Sequence, residues 1–323
     1  VDDDLVAIGA DSLALTEITT LIRRSLNVDV DLATFTARPT IATLVEGIRN
    51  HTPAQNTRCS GVAVPLRNGE DTPTLVTVAG AGAPAAAFIP LVRRLTSDVS
   101  VLGFQQRGLE RRGRPDRTVV RMARRYLKAL TQIHPHGPYV LAGHSMGGLV
   151  ALELAAQLEA RGDRVLRVLA IDTVLRGEHV QALGRDLPAL LEEPDDTGTV
   201  VAPGPQLRPT RRQLVILLCK SLVAGRVIFD PVTQWAIFFH RGSKAAQRYS
   251  IRKITAPVTV LCAPGSRHSA QWWNATTDAG AELHTVRGGH VDLLHEPYVD
   301  EIATHIDRCT AADLVEVAHP RRR

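Results

Sequence analysis

Tyr139-Val140-Leu141-Ala142-Gly143-His144-Ser145-Met146-Gly147-Gly148-Leu149 is the stretch on which the fold turns. Tyr139–Gly143 has the length and apolar character of a buried strand, and Leu149–Ala160 carries a helical pattern. Only a tight turn separates them. A strand, a sharp turn of the form Gly-x-Ser-x-Gly and a helix force the serine backbone into a strained conformation and lift its hydroxyl above the sheet edge. Glycine is required at 143 and 147 because a side chain at either position would collide with the neighbouring element. Ser145 therefore reads as a nucleophile.

Outward from this turn the chain alternates. Leu75–Val78, Val99–Phe104, Val165–Ile171, Val258–Ala263 and Leu283–Val286 are further strand-length apolar runs, with helical stretches near Phe88–Leu95 and Thr118–Ile133. Such alternation predicts an α/β domain with a mostly parallel sheet covered on both faces. From about Arg176 to Ser250 the rhythm stops, and Gly/Pro-rich segments alternate with the apolar runs Leu214–Leu218 and Trp235–Phe239. An interruption of that length is expected to be a mostly helical lid over the active site, the alternative being a separate packing subdomain.

A serine hydroxyl needs a base, and the base needs a group that orients it. On this architecture the expected chain order is serine, acid, histidine. Asp172 ends the strand Val165–Ile171, one strand after the nucleophile. The loop one strand later, Pro264–Thr277, contains Ser266, Arg267 and His268 but no carboxylate before Asp278. Asp172 is thus the preferred acid, with Asp278 the rival and a helix-capping role the alternative. For the base, His290 in Gly288-Gly289-His290 follows the last strand, and His295 is its rival. His144 is expected to diverge from its neighbour Ser145, and His268 follows the wrong strand. The oxyanion formed on acyl transfer needs two backbone N–H donors. Met146, at the helix start, supplies one; the loop Ala79-Gly80-Ala81-Gly82-Ala83 is expected to supply the other at Ala81, if it is more than a tight turn.

A second serine stands upstream. In Gly9-Ala10-Asp11-Ser12-Leu13, Asp11 and Ser12 can cap a helix that places Leu13, Leu15, Ile18, Leu21 and Ile22 on one face. Pro39-Thr40 opens another helix with Ile41, Leu44, Val45 and Ile48, and the polar stretch His51–Ser60 reads as a linker.

Composition narrows the classes. The chain has 323 residues, 44% hydrophobic and 22% charged, as in soluble globular proteins. Cys59, Cys219, Cys262 and Cys309 are scattered without a CxxC pair, so neither a disulfide framework nor a bound metal is expected and a reducing cytoplasm is the expected compartment. No cleavable signal is read in the opening Val-Asp-Asp-Asp. The run Leu214–Leu218, bounded by Arg212 and Lys220, is too short for a membrane span, so no membrane partner is expected. The net charge of +5 hides a split: residues 1–52 carry eight acids against four arginines, −4, which leaves +9 elsewhere. With dispersed arginines and 4% aromatics this suggests an acidic module docking on a basic one rather than a nucleic-acid binder.

From Pro65 to about Ile306 the chain resembles the α/β-hydrolase thioesterase domain that ends nonribosomal peptide synthetases. The matching pieces are Phe104-Gln105-Gln106-Arg107-Gly108-Leu109, Gly137-Pro138-Tyr139, the Ser145 turn through Gly148, Ile171-Asp172 and Gly288-Gly289-His290. In that family the acid follows the strand after the nucleophile strand, which implies Asp172, and the oxyanion donors map onto Ala81 and Met146. Residues 1–52 resemble the C-terminal two-thirds of a peptidyl carrier domain, on Asp11-Ser12-Leu13 and Arg38-Pro39-Thr40-Ile41-Ala42-Thr43-Leu44. That resemblance implies a covalent 4′-phosphopantetheine on Ser12, and a helix start tolerates such an anion. The carrier's first helix is missing from the matched part.

The expected organisation is a partial carrier over 1–52, a linker over 53–64, an α/β-hydrolase domain over 65–310 with its lid at about 176–250, and a tail over 311–323. The resemblance implies a terminal thioesterase that takes a peptidyl thioester onto Ser145 and releases it by hydrolysis or macrocyclisation. Its implied partners are upstream synthetase modules and a phosphopantetheinyl transferase. A polyketide-type thioesterase or general esterase with the same triad, and a carrier-docking module with an idle triad, are the alternatives. Peptide identity, ring size and oligomeric state are not legible at this level.

Overall fold

The computed structural model describes residues 2–5, 7–10, 12–26, 28, 30, 32–49, 61–69, 71–183 and 219–318. Three helices come first, α1 (Ser12–Leu26), α2 (Leu32–Ala37) and α3 (Ile41–Arg49). The larger part then runs β1 (Ala63–Arg67), β2 (Asp71–Val78), a 3-10 turn at Ala85–Phe88, α4 (Ile89–Arg94), β3 (Val99–Phe104), α5 (Val119–Ile133), β4 (Tyr139–His144), α6 (Met146–Arg161), β5 (Val165–Ile171) and α7 (Gly177–Val180). It continues through α8 (Pro231–Gln247), β6 (Val258–Cys262), α9 (Ala270–Ala275) and β7 (Ala281–Thr285) to α10 (Val299–Ala318).

The seven strands form one sheet in the order β1-β3-β2-β4-β5-β6-β7. β1 pairs antiparallel with β3, and every other pair is parallel. Alternate side chains point to opposite faces of a strand. Accordingly Val76, Val78, Leu141, Val168 and Ala170 join one buried cluster with residues of α5 and α6. Leu75, Val140, Ala142, Leu169 and Ile171 join the other, with α4 and α10. This is the α/β-hydrolase architecture, with helices on both faces of a mostly parallel sheet.

The parallel strands all end at one edge. The loops after β2, β4, β5, β6 and β7 open there, which is where open α/β sheets carry their sites. The N-terminal helices lie to the β1 side. Leu15, Phe35 and Leu44 are buried in the same cluster as Leu66, Ala86, Phe88 and Leu91, and Asp4 forms an ion pair with Arg93.

Within the interval expected to be a lid, the described residues are mainly helical: α7, a 3-10 turn at Gln181–Leu183, a short helical piece at 219–222 and α8. Asp230 caps α8 by accepting from the Thr233 N–H, with Pro231 next, a favoured helix start. Gln234, Ile237, Phe238, Gly242 and Ala245 make its buried face. The run Leu214–Leu218 and the linker stretch His51–Ser60 lie outside the described residues.

Several boundaries differ from expectation. β1 begins at Ala63, inside the expected linker. α2 and α10 were not anticipated, and α10 runs through the boundary at 310 to Ala318, so much of the expected tail is helix. α6 starts at Met146 rather than Leu149, directly after the serine.

Candidate active site

Ser145 stands between β4 and α6 with φ 55° and ψ −125°, the strained turn that the sequence pattern demands. Two neighbours hold it. Its N–H donates to the Ile171 carbonyl at 2.9 Å, and its own carbonyl accepts from Thr173 Oγ1 at 2.8 Å. The glycines serve close approach, as expected: a Cβ on Gly147 would run into the Val78 carbonyl, and one on Gly143 into Gly147.

Asp172 follows β5 with φ 43°, its N–H donating to the Leu261 carbonyl at 2.7 Å. Its carboxylate is buried and accepts from four groups: His290 Nδ1 at 2.6 Å, Ser266 Oγ at 3.1 Å, the Ala263 N–H at 3.0 Å and His268 Nε2 at 3.2 Å. Burial acts to raise the pKa of this carboxyl. The hydrogen bonds from His268, His290, Ala263 and Ser266 outweigh burial and hold it well below the usual carboxylate range. The other ring nitrogen of His290, Nε2, lies 3.1 Å from Ser145 Oγ. Ser145, His290 and Asp172 thus form one hydrogen-bonded row at the sheet edge.

The rivals lie elsewhere. Asp278 is an exposed partner of Lys253, and His295 Nδ1 bonds the Val291 carbonyl at the surface. His144 does not diverge into empty space: its Nε2 bonds the His290 carbonyl at 2.8 Å. His268, set aside as a base for following the wrong strand, does not bond Ser145 but reaches Asp172. Its signal in the sequence was position alone, in the loop after β6 that opens at the same edge.

Met146 is the first residue of α6, so its N–H has no acceptor four residues back in the helix. Ala81 lies in the loop after β2. Both sit directly beneath α8: a Cβ on Gly242 would come 2.8 Å from Ala81 Cβ and 2.9 Å from Met146 Sδ. Gln106, buried, links the same loop to the lid, accepting from the Gly82 N–H at 2.7 Å and donating to the Phe238 carbonyl at 3.3 Å. Sequence reading missed this bridge: Gln106 stands in the matching stretch Phe104–Leu109, but that stretch does not show which backbone groups its side chain meets across the fold. Ser12 heads α1 in the N-terminal part, and Leu15 of that helix packs with the 3-10 turn that follows the Ala81 loop. Among the described residues, no helix is long and apolar enough to cross a membrane.

A hydrolase sheet with a serine, a histidine and a carboxylate in register at its edge defines a serine-dependent hydrolase class. Residues 73–310 match the thioesterase domain family, and residues 1–48 match the phosphopantetheine attachment site family. The chain belongs to the thioesterase domain family and is an enzyme of that kind, preceded by a carrier segment. It is 29% identical over 202 residues to a dimodular nonribosomal peptide synthase of Bacillus subtilis (strain 168), across 62% of this chain and 8% of that protein. The chain therefore spans less than a tenth of that relative's length.

Among solved structures it resembles the NocB thioesterase domain in covalent complex with a fluorophosphonate nocardicin G analogue. The two are 25% identical with a TM-score of 0.52, across 74% of this chain and 95% of that one. It also shares its fold with part of the four-domain nonribosomal peptide synthetase AB3403, at 20% identity and a TM-score of 0.59, over 95% of this chain and 24% of that one. The phosphopantetheine attachment family implies a covalently attached phosphopantetheine.

Proposed function

We propose that this chain is the terminal carrier–thioesterase portion of a nonribosomal peptide synthetase. In this reading Ser145 receives a peptidyl group from a carrier-bound thioester. The observation that carries it is the unbroken row from Ser145 Oγ through His290 (3.1 Å) to Asp172 (2.6 Å). His290 donates Nδ1–H to Asp172, which leaves the Nε2 lone pair facing the serine hydroxyl. As Ser145 Oγ attacks the thioester carbonyl, His290 Nε2 takes its proton. The oxyanion falls to the N–H groups of Met146 and Ala81. When the C–S bond breaks, His290 returns the proton to the departing thiolate. Asp172 keeps the imidazole in the required tautomer and stabilises its cation. Water, or an amine or hydroxyl of the same peptide, then attacks the acyl-serine, giving a free acid or a ring. α8, lying on Ala81 and Met146, supports a role in excluding water from that intermediate.

Ser12 is the proposed attachment point for 4′-phosphopantetheine, placed there by a phosphopantetheinyl transferase. The group supplies the thiol that carries the peptide. Ser12 opens a fifteen-residue helix with no acid in its first turn, a position whose N–H groups and dipole favour a phosphodiester. Replacing Ser145 by Ala is expected to abolish turnover of a peptidyl-pantetheine thioester while Ser12 still accepts the arm, scored by intact mass. Undiminished turnover by Ser145→Ala refutes the assignment.

A further inference from the structure

The loop after β6 grips the array from a side that the proton relay does not use. Of the four donors to Asp172, three come from the seven residues 263–269: the Ala263 N–H and His268 Nε2 on Oδ1, and Ser266 Oγ on Oδ2. The His268 side chain is 3% exposed, and its Nδ1 has no hydrogen-bond partner among the described residues. A ring with one nitrogen on a carboxylate and the other facing no acceptor donates from Nε2. A proton on Nδ1 would be a buried N–H left unsatisfied. In most α/β hydrolases this loop is where an acid would be sought; here it wraps the acid of the preceding strand.

We propose that His268 is a positioning residue for acyl transfer. It holds Asp172 so that Oδ2 meets His290, and by sharing the carboxylate's charge it sets how firmly His290 retains a proton. The inference rests on the roles assigned above to Ser145, His290 and Asp172. The other ionisable side chains near the carboxylate are His144, at the end of β4, and Cys262, at the end of β6. Burial, with His290 second, lowers the His144 pKa to about 4. Burial, with Asp172 second, raises that of Cys262 to about 11. Both are therefore uncharged between about pH 5 and 10, so neither places a charge beside Asp172 in that range.

The test is the rate at which a fluorophosphonate probe labels Ser145 in the full chain, followed against pH. In His268→Phe, which keeps the volume and removes the donor, labelling is expected to slow about tenfold. The acid limb of its pH profile is expected to move to higher pH by about half a unit. The sign follows because a carboxylate with one donor fewer holds the protonated imidazole more strongly. His268→Gln, which restores an N–H, is expected to recover both rate and limb. A limb that stays put in His268→Phe, or one that His268→Gln fails to restore, overturns the proposal. A purely structural role lowers the rate without moving the limb. If His268→Phe does not unfold cooperatively, Ser266→Ala removes a second donor from the same loop and must shift the limb in the same direction; no shift there overturns it equally. Absence of labelling in the unmodified chain defeats the Ser145 assignment itself, whereas normal labelling with an unmoved limb defeats only the role of His268.

Discussion

His144 Nε2 donates to the backbone carbonyl of His290 at 2.8 Å, and the two rings lie 4.9 Å apart. The residue before the candidate nucleophile therefore tethers the loop that carries the candidate base. Burial, then the neighbouring His290, lowers the His144 pKa to about 4, so near neutral pH the ring is uncharged and free to serve as a donor.

His144→Leu is expected to release the loop and lower kcat about tenfold, while His144→Gln, which keeps an N–H in reach of the carbonyl, retains most activity. The same residue makes a signed prediction for stability. Its folded pKa lies below the unfolded value, so between about pH 6.5 and 4 the unfolded chain binds the extra proton and stability falls as the solution is acidified. In His144→Gln the slope of Tm against pH across that window is expected to be shallower than in the parent. Equal slopes exclude this origin.

The contact between α8 and the Ala81 loop is open to a paired test. Gln106→Leu removes both the acceptor for the Gly82 N–H and the donor to the Phe238 carbonyl, so α8 and the loop lose their shared bridge. Gly242→Ala instead wedges a methyl group between α8 and Ala81 and Met146. Overpacking of this kind costs about 1–3 kcal/mol. Both variants are expected to lower kcat for acyl transfer by about tenfold or more. Thioester hydrolysis assays check the rate, and hydrogen exchange at Gly82 checks the loop. Unchanged exchange in Gln106→Leu contradicts the bridge.

Away from the array, Glu153 on α6 ties down the segment that leads from the lid back to β6. Its fully buried carboxylate accepts from Tyr249 Oη at 2.8 Å, Arg252 Nη2 at 2.6 Å and Gln157 Nε2 at 2.7 Å. The Arg252 side chain is half exposed and can turn to water, so Tyr249 bears most of the loss when the acid is removed. Glu153→Leu is expected to destabilise the chain by about 2–3 kcal/mol in urea unfolding. Adding Tyr249→Phe is expected to recover part of that loss, because no buried hydroxyl is then left unpaired.

What the sequence revealed follows from how local each signal is. The turn around Ser145 is local: two glycines and a serine between a strand and a helix specify a conformation within a few residues, and the structure has it. The positions of the candidate acid and base, Asp172 and His290, were legible because strand ends are legible, and the sheet brings those ends to one edge. β1 was not, since Ala63–Arg67 is five residues long and contains Pro65, which suits only an edge strand. α2 has six residues, too few for a helical period to show. α10 did carry a signal, with Val299, Ile302, Ala303 and Ile306 buried at helical spacing, and a periodicity count would have found it. The roles of His268, His144 and Gln106 depend on side chains meeting across distant loops, and nothing in their neighbourhoods along the chain announces that.

The Ser145 amide bonds the last carbonyl of β5, and the Asp172 amide bonds the Leu261 carbonyl of β6, so each of these two candidate residues continues the parallel ladder by one rung. Alignment of Ser145 with Asp172 is consequently inherited in the first place from strand pairing, and the loop after β6 and the His144 tether complete it. Slippage of a single strand by one position would disarm the whole row at once. Transplanting this arrangement to another parallel scaffold would require that three-strand phase in addition to the sequences of the connecting turns.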